Sequence, residues 1–224
     1  MSNLQGLPQI ITAIGGLGTA AFGLVDASKV LWGGVNHIGF NGVKTTVEAL
    51  TPGKPGNSLS QKKILATLQA NWFNGTDLGS QKSIAKSLIK LHLDASIAPD
   101  LAAVTGVNSE VLTAVATSIT SGTPLSPAQS DVYARFDLSV TALLDEAYQR
   151  SDQVYRNWTR AIAAVVAILL ALAGGHILQA SGGPSPSTGA CLLVGLLATP
   201  LAPIAKDLST ALAAAVNTLQ LVRK

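Results

Sequence analysis

Residues 161–178 read AIAAVVAILLALAGGHIL, a run with nine strongly apolar side chains and no charged one. At roughly −0.3 to −0.6 kcal/mol each, these contribute about −3 to −5 kcal/mol towards insertion into a bilayer. The run approaches the ~20 residues a helix needs to cross a hydrocarbon core about 30 Å thick. Just before it stands Tyr155-Arg156-Asn157-Trp158-Thr159-Arg160. Its rings and long cations suit a membrane–water boundary, where aromatics settle and cations snorkel. Further upstream, Ser126-Pro127 reads as an N-cap followed by proline at the first helical position. Val132, Phe136, Val140, Leu143, Ala147, Val154 and Trp158 then recur at near-helical spacing, with no glycine or proline before Gly174. One helix is therefore expected over 126–178. At 1.5 Å per residue it would span on the order of 75 Å, with about 30 Å in lipid and the rest a cytoplasmic stalk.

Two other stretches lack charge. Residues 189–205 (GACLLVGLLATPLAPIA) carry seven strongly apolar side chains and two prolines, which should kink a helix. Residues 7–25 (LPQIITAIGGLGTAAFGLV) are apolar but diluted by four glycines. The whole chain of 224 residues is 48% hydrophobic and only 12% charged, against about 25% charged in an ordinary soluble domain. That hydrophobicity excludes disorder, and one cysteine excludes a disulfide framework.

The cations add an orientation. No charged residue falls in 1–25 or 161–205. The block from Asp26 to Arg160 holds twelve bases and eleven acids, a net of +1, which is poor material for a nucleic-acid surface; no nucleic-acid partner is expected. Lys and Arg collect on the cytoplasmic side of membranes. Three crossings, with the N-terminus outside and the C-terminus cytoplasmic, leave the stub MSNLQ and the loop QASGGPSPST outside and all cations inside. A cleaved signal peptide should begin with a basic region. Here the first lysine is Lys29, beyond the apolar run, so a retained reverse anchor is the expectation.

The expected organisation is all-α. Residues 1–32 form a transmembrane helix and its exit, where Asp26 and Lys29 pair at i,i+3 and Trp32 marks the interface. Residues 33–57 form a linker, loosened by Gly33, Gly34, Gly39 and Gly42 and ending in Thr51-Pro52-Gly53-Lys54-Pro55-Gly56. Residues 58–125 form a small cytoplasmic domain of short helices. In the first, Ser58 or Ser60 is the cap, Ile64, Leu65, Leu68 and Trp72 share a face, and Asn74-Gly75 stops it. In the second, Ser80 is the cap, Ile84, Leu88 and Leu91 share one face, and Lys82, Lys86 and Lys90 lie on another. In the third, Asn108 is the cap, Val111, Val115 and Ile119 share a face, and Gly122 ends it. After the stalk and second span (126–178) come an external loop (179–188), a third span (189–206) and an amphipathic tail (207–224) with Leu208, Leu212, Val216 and Leu219 on one face.

The sharpest short motif is Gly16-Leu17-Gly18-Thr19-Ala20-Ala21, a G-x-G-x-x-A after the strand-like Gln9–Ile14. In a dinucleotide-binding unit an acid about 20 residues on should reach the ribose. That neighbourhood holds Asn36 and His37, so no cofactor is expected. The same residues serve better in lipid. Gly16 and Ala20 make one small-xxx-small row and Gly15, Thr19 and Gly23 a second, and such rows let helix backbones approach closely, within a protomer or between protomers.

Other chemistry is sparse. His37, His92 and His176 are far apart and lack paired-ligand spacing, so no metal is expected. Cys191 reads as a small packer, without a cation to activate it. The row Lys82/Lys86/Lys90 reads as a solvated face, or as a contact for anionic headgroups. No nucleophile elbow, phosphate loop or mid-span ionisable residue is present, so no catalytic residue is named.

Residues 130–224, with the cluster Tyr155–Arg160, resemble the end of a group of uncharacterised bacterial inner-membrane proteins, where such a cluster leads into a closing two-helix hairpin. The acidic motif at the outer end of the first hairpin helix is replaced here by Gly174-Gly175-His176. The resemblance implies a topology and no activity.

The expected function is a non-enzymatic membrane scaffold or accessory subunit, self-associating or packed in a larger complex. Gly15, Gly16, Thr19, Ala20 and Gly23 would be its packing face, and Trp32, Tyr155, Arg156, Trp158 and Arg160 its interface anchors. The alternative is a pore-forming effector, favoured by the glycine-rich first span and the proline-containing third.

Overall fold

The computed structural model describes residues 7–53, 59–183 and 186–222. Among these there are eight helices and no strand: α1 (Leu7–Trp32), α2 (Val35–Ala49), α3 (Gln61–Phe73), α4 (Leu78–His92), α5 (Ala98–Thr105), α6 (Ser109–Ser121), α7 (Pro127–Ala180) and α8 (Thr188–Val222). The all-α expectation holds. The strand-like stretch Gln9–Ile14 lies inside α1, which removes the geometry a dinucleotide loop requires.

The chain divides into two compact units, Asn36–Tyr155 on one hand and Met1–Val35 with Arg156–Lys224 on the other. The first is larger than the 58–125 domain expected from the sequence, gaining α2 and the first part of α7. Its core is built from Phe40, Val43, Val47 and Leu50 of α2, Ile64, Leu68 and Trp72 of α3, Ala85 and Ile89 of α4, Leu101 of α5, Leu112 of α6, and Phe136, Val140, Leu144 and Tyr148 of α7. The first part of α7 is thus a core helix of this unit and not a bare stalk.

The linker expected over 33–57 is largely α2. Only Gly33 and Gly34, at φ 71° and 43°, break the chain between α1 and α2. Gly39 and Gly42 have a different use. A Cβ on Gly39 would lie 2.8 Å from both Trp72 and Tyr155, and one on Gly42 would lie 2.5 Å from Ser151 Oγ. Both glycines let α2 approach its neighbours, and Ser151 Oγ accepts a bond from Val43 N at 3.1 Å. The turn residues Lys54-Pro55-Gly56 and the alternative cap Ser58 lie outside the described residues.

Local start and stop signals work as physical chemistry dictates. Ser60 caps α3 by accepting from Lys63 N, and Asn108 caps α6 by accepting from Val111 N. Gly106 and Gly122 end α5 and α6 in the left-handed conformation. At the head of α7, Gln129 N donates to Ser126 Oγ and Ser126 N donates to Gln129 Oε1, a reciprocal capping box around Pro127. Two details differ from the sequence reading. α4 is capped by Asp77, whose carboxylate accepts from Ser80 N, so Ser80 is inside the helix. α6 is rotated and buries Leu112, Val115 and Ala116, leaving Ile119 exposed.

α8 is continuous through Pro200 and Pro203, so the expected division between a third span and a separate tail is absent. Each proline removes a single helical N–H, a loss that apolar helices tolerate when neighbouring turns hold. The side chains of Leu208, Leu212, Val216 and Leu219 lie outside what the structure describes.

Candidate functional site

Among the described residues, three helices are long and apolar enough to cross a membrane: α1 over Ile10–Lys29, α7, and α8 over Thr188–Ala205. Segments of all three meet in the unit formed by residues 1–35 and 156–224, and small residues make the contact. Ala21, Ala167 and Ala198 form its buried cluster, with Ile14, Leu17, Val166 and Leu170 packed against them. Ala163, Ala202 and Ala205 are buried as well.

The close approaches are made by glycine. A Cβ on Gly18 would collide with the carbonyl oxygen of Ala198 and come within 2.6 Å of its carbon. One on Gly15 would collide with the Ala205 methyl and sit 3.0 Å from Leu201 O. Between α7 and α8, a Cβ on Gly195 would lie 2.5 Å from Ile168 Cα, and one on Gly175 would lie 2.7 Å from Cys191 Sγ. Backbone is therefore approached closely at Gly15, Gly18 and Gly195, and side chains at Gly175.

The large side chains point the other way. Val165, Leu169, Ile177, Leu193, Leu196 and Ile204 are each more than half exposed, Leu193 at 62% and Ile177 at 68%. In each apolar window of the three helices, at most 28% of residues are buried. Small residues inside and leucine or isoleucine outside is the arrangement expected when the surroundings are as apolar as the interior. In a water-soluble monomer, contiguous exposed apolar patches mark interaction sites rather than free surface.

This geometry sorts the residues singled out from the sequence. Gly15 lies in the contact with α8, whereas Gly16 and Gly23 have open space where a Cβ would be. Thr19 and Ala20 are exposed, and Thr19 spends its hydroxyl on Gly15 O at 3.0 Å. The face of α1 turned to its own chain is Gly15, Gly18, Ala21 and Val25. Gly18, Ala21 and Val25 were missed because small residues occupy almost every side of α1 there, so spacing favours no single face.

The interface residues also separate. Trp32 is 79% exposed and Trp158 49% exposed, and Arg156 and Arg160 are exposed. Tyr155 is different. Its ring meets Trp72 edge-on at 6.1 Å, so it packs with the core of the 36–155 unit rather than standing free as an anchor. Asp26 and Lys29 pair at 2.6 Å, as their spacing implies.

The lysine row is neither a solvated face nor free for headgroups. Lys82 bonds Asp145, while Lys86 and Lys90 both bond Asp137, at 2.6 and 3.0 Å. Lys90 also lies 5.1 Å from the Tyr133 ring centroid. These contacts fix α4 on α7. Burial alone would raise the Asp137 carboxyl, but the bonds and charges of Lys86 and Lys90 outweigh it and hold the group below the usual carboxylate range. Lys90 is held above its ordinary value, its desolvation being outweighed by Asp137 and Tyr133. A cleft of about 310 Å³ opens beside this ladder, lined by Gly79, Lys82, Ser83, Lys86, Thr141, Leu144 and Asp145. Its charged groups are already paired, Lys82 with Asp145 and Lys86 with Asp137 outside the lining.

Among the histidines, His37 meets Phe73 edge-on at 4.8 Å, His92 is fully buried, and His176 is exposed. Among the described residues, no three His, Cys, Asp or Glu side chains are gathered as a metal site would require. Cys191 is buried beside Gly175.

Compared with protein-family models, curated proteins and solved structures, the chain matches none. Its function is therefore argued from its own geometry.

Proposed function

We propose that this chain is a non-enzymatic integral membrane protein that works as a scaffold or accessory subunit, self-associating or packed into a larger membrane complex. The observation that carries the reading is the inverted packing of the apolar helices, alanine and glycine inside with leucine and isoleucine outside. The bilayer is then its first partner, in a bacterial inner membrane, with residues before α1 outside and the 36–155 unit on the cytoplasmic side. Trp32, Trp158, Arg156 and Arg160 would lie at the headgroups. Resistance of the protein to alkaline carbonate extraction tests insertion, and release into the soluble fraction would end the reading. Labelling of single cysteines placed in a Cys191→Ala background tests the sidedness.

Self-association is assigned to the outer row of α1, where, among the described residues, nothing lies within 4 Å of a Cβ placed on Gly16 or Gly23 and Ala20 is exposed. Gly16→Ile should reduce the size of the particle in mild detergent. An unchanged size would reject that face.

A second reading, a pore or membrane-perturbing effector, is favoured by the two prolines inside α8 and the glycine content of α1. Dye leakage from vesicles on adding the purified protein would select it over the scaffold.

A further inference from the structure

His92 closes α4 and is fully buried, and nothing in the membrane reading uses it. Its ring lies between two backbone carbonyls, with Nδ1 3.0 Å from Leu59 O and Nε2 3.2 Å from Pro52 O. Those oxygens belong to the connection between α2 and α3. Two more carbonyls of that region, Glu48 O and Thr51 O, accept from the side-chain amide of Gln61, at 3.2 and 2.8 Å. Four acceptors are thus served by two side chains.

The two side chains differ in one respect. The Gln61 amide carries two hydrogens at every pH, whereas an imidazole carries two N–H groups only when protonated. A neutral ring donates to one carbonyl and turns a lone pair towards the other, and neither carbonyl has a hydrogen to offer in return. Leaving a buried acceptor unmet costs more than the bond itself contributes. We infer that His92 is a proton-operated staple, which holds Pro52 and Leu59 together against the end of α4 in its charged form and releases one of them in its neutral form.

The groups around the ring fit this role. Pro52 O faces it from the α2 side and Leu59 O from the α3 side, both acceptors. Asp94, two residues on in the turn leading to α5, is the nearest acidic residue along the chain. Its carboxyl is held below the usual range first by its bond from Ser96 N at 2.7 Å. The staple is complete in mild acid and loses one bond as the ring gives up its proton.

The test uses the full-length protein in detergent micelles, with histidine labelled by ¹⁵N. Both His92 ring nitrogens should carry protons at about pH 5, each shifted by its carbonyl partner, and one should be bare at about pH 8. A His92 ring with one bare nitrogen throughout would overturn the proposal. Unfolding of the 36–155 unit gives a second reading. Its folding constant should fall roughly five- to tenfold across the window, the loss of about one buried hydrogen bond. His92→Gln, with two hydrogens at every pH, should flatten that step. A flat wild-type profile, or a step that survives in His92→Gln, would sink the inference; should that variant not fold, the ring spectrum of the wild type decides alone.

Discussion

In the 36–155 unit the buried side chains are large, with Tyr148, Phe136, Leu50, Ile64 and Leu68 sealed from solvent and charged residues such as Lys82, Lys86 and Asp137 at the rim. In the unit of residues 1–35 and 156–224 the buried cluster is three alanines, and leucines such as Leu169, Leu193 and Leu196 stand outside. One polypeptide therefore carries two opposite packing rules. In water, burying apolar area contributes roughly 25 cal/mol per Å², so bulk belongs inside. In lipid that drive is absent between helices, so what remains is dispersion between closely approaching backbones, and bulk belongs outside. The contrast teaches that burial of large side chains is a response to the solvent and not a property of helices.

The hardest strain on this contrast comes from matched truncations. Phe136→Ala should cost about 4 kcal/mol of stability in the 36–155 unit by chemical denaturation. Leu169→Ala, at a site 60% exposed on α7, should cost under about 1 kcal/mol by unfolding from micelles. Equal losses would erase the distinction.

Next in size are enlargements. Gly18→Ile places a branched side chain against the Ala198 carbonyl and should cost about 3 kcal/mol, at the upper end for overpacking. Gly16→Ile meets open space within the chain and should leave the protomer nearly as stable while changing its assembly. Similar protomer losses from both would show that α1 turns another face to α8.

A smaller effect belongs to the charged ladder. Asp137→Asn removes the partner of both Lys86 and Lys90 and should cost about 1 kcal/mol, since the pairs are partly exposed. The Asp137 carboxyl is held below its ordinary value in the folded chain. Its contribution is therefore present above the unfolded value of about 3.9 and is lost as pH falls through the folded one. Wild type should lose stability in that acid window and the variant should lose less, as a pair of denaturation series would read. Smallest of all is Glu146→Gln, which breaks a pair whose side chains are 62% and 78% exposed. It should shift stability by less than about 0.5 kcal/mol.

Much of this was legible in the sequence. The start of α7 at Ser126-Pro127, its continuity through Trp158 into the apolar run, and the caps at Ser60, Asn108 and Gly122 all follow from local chemistry that acts within a few residues. α2 was missed because its glycines read as looseners. Gly39 and Gly42 are small because Trp72, Tyr155 and Ser151 come close, and those residues are distant in the chain. The lysine row was misjudged for the same reason, since Asp137 and Asp145 lie on another helix about fifty to sixty residues away. Tyr155 looked like a boundary residue beside Trp158, and only contact with Trp72 draws it into a core.

The sequence by itself determined that the chain is helical, where most helices begin and end, and which three are apolar enough for lipid, because capping, periodicity and hydropathy depend on neighbours along the chain. Tertiary structure alone decided that Gly15 and Gly18, not Gly16, meet α8, that the lysines are paired, and that His92 sits between two carbonyls. Each of those facts is a close approach between segments far apart in the chain, and no spacing along one helix encodes what another will bring within three or four ångströms of it.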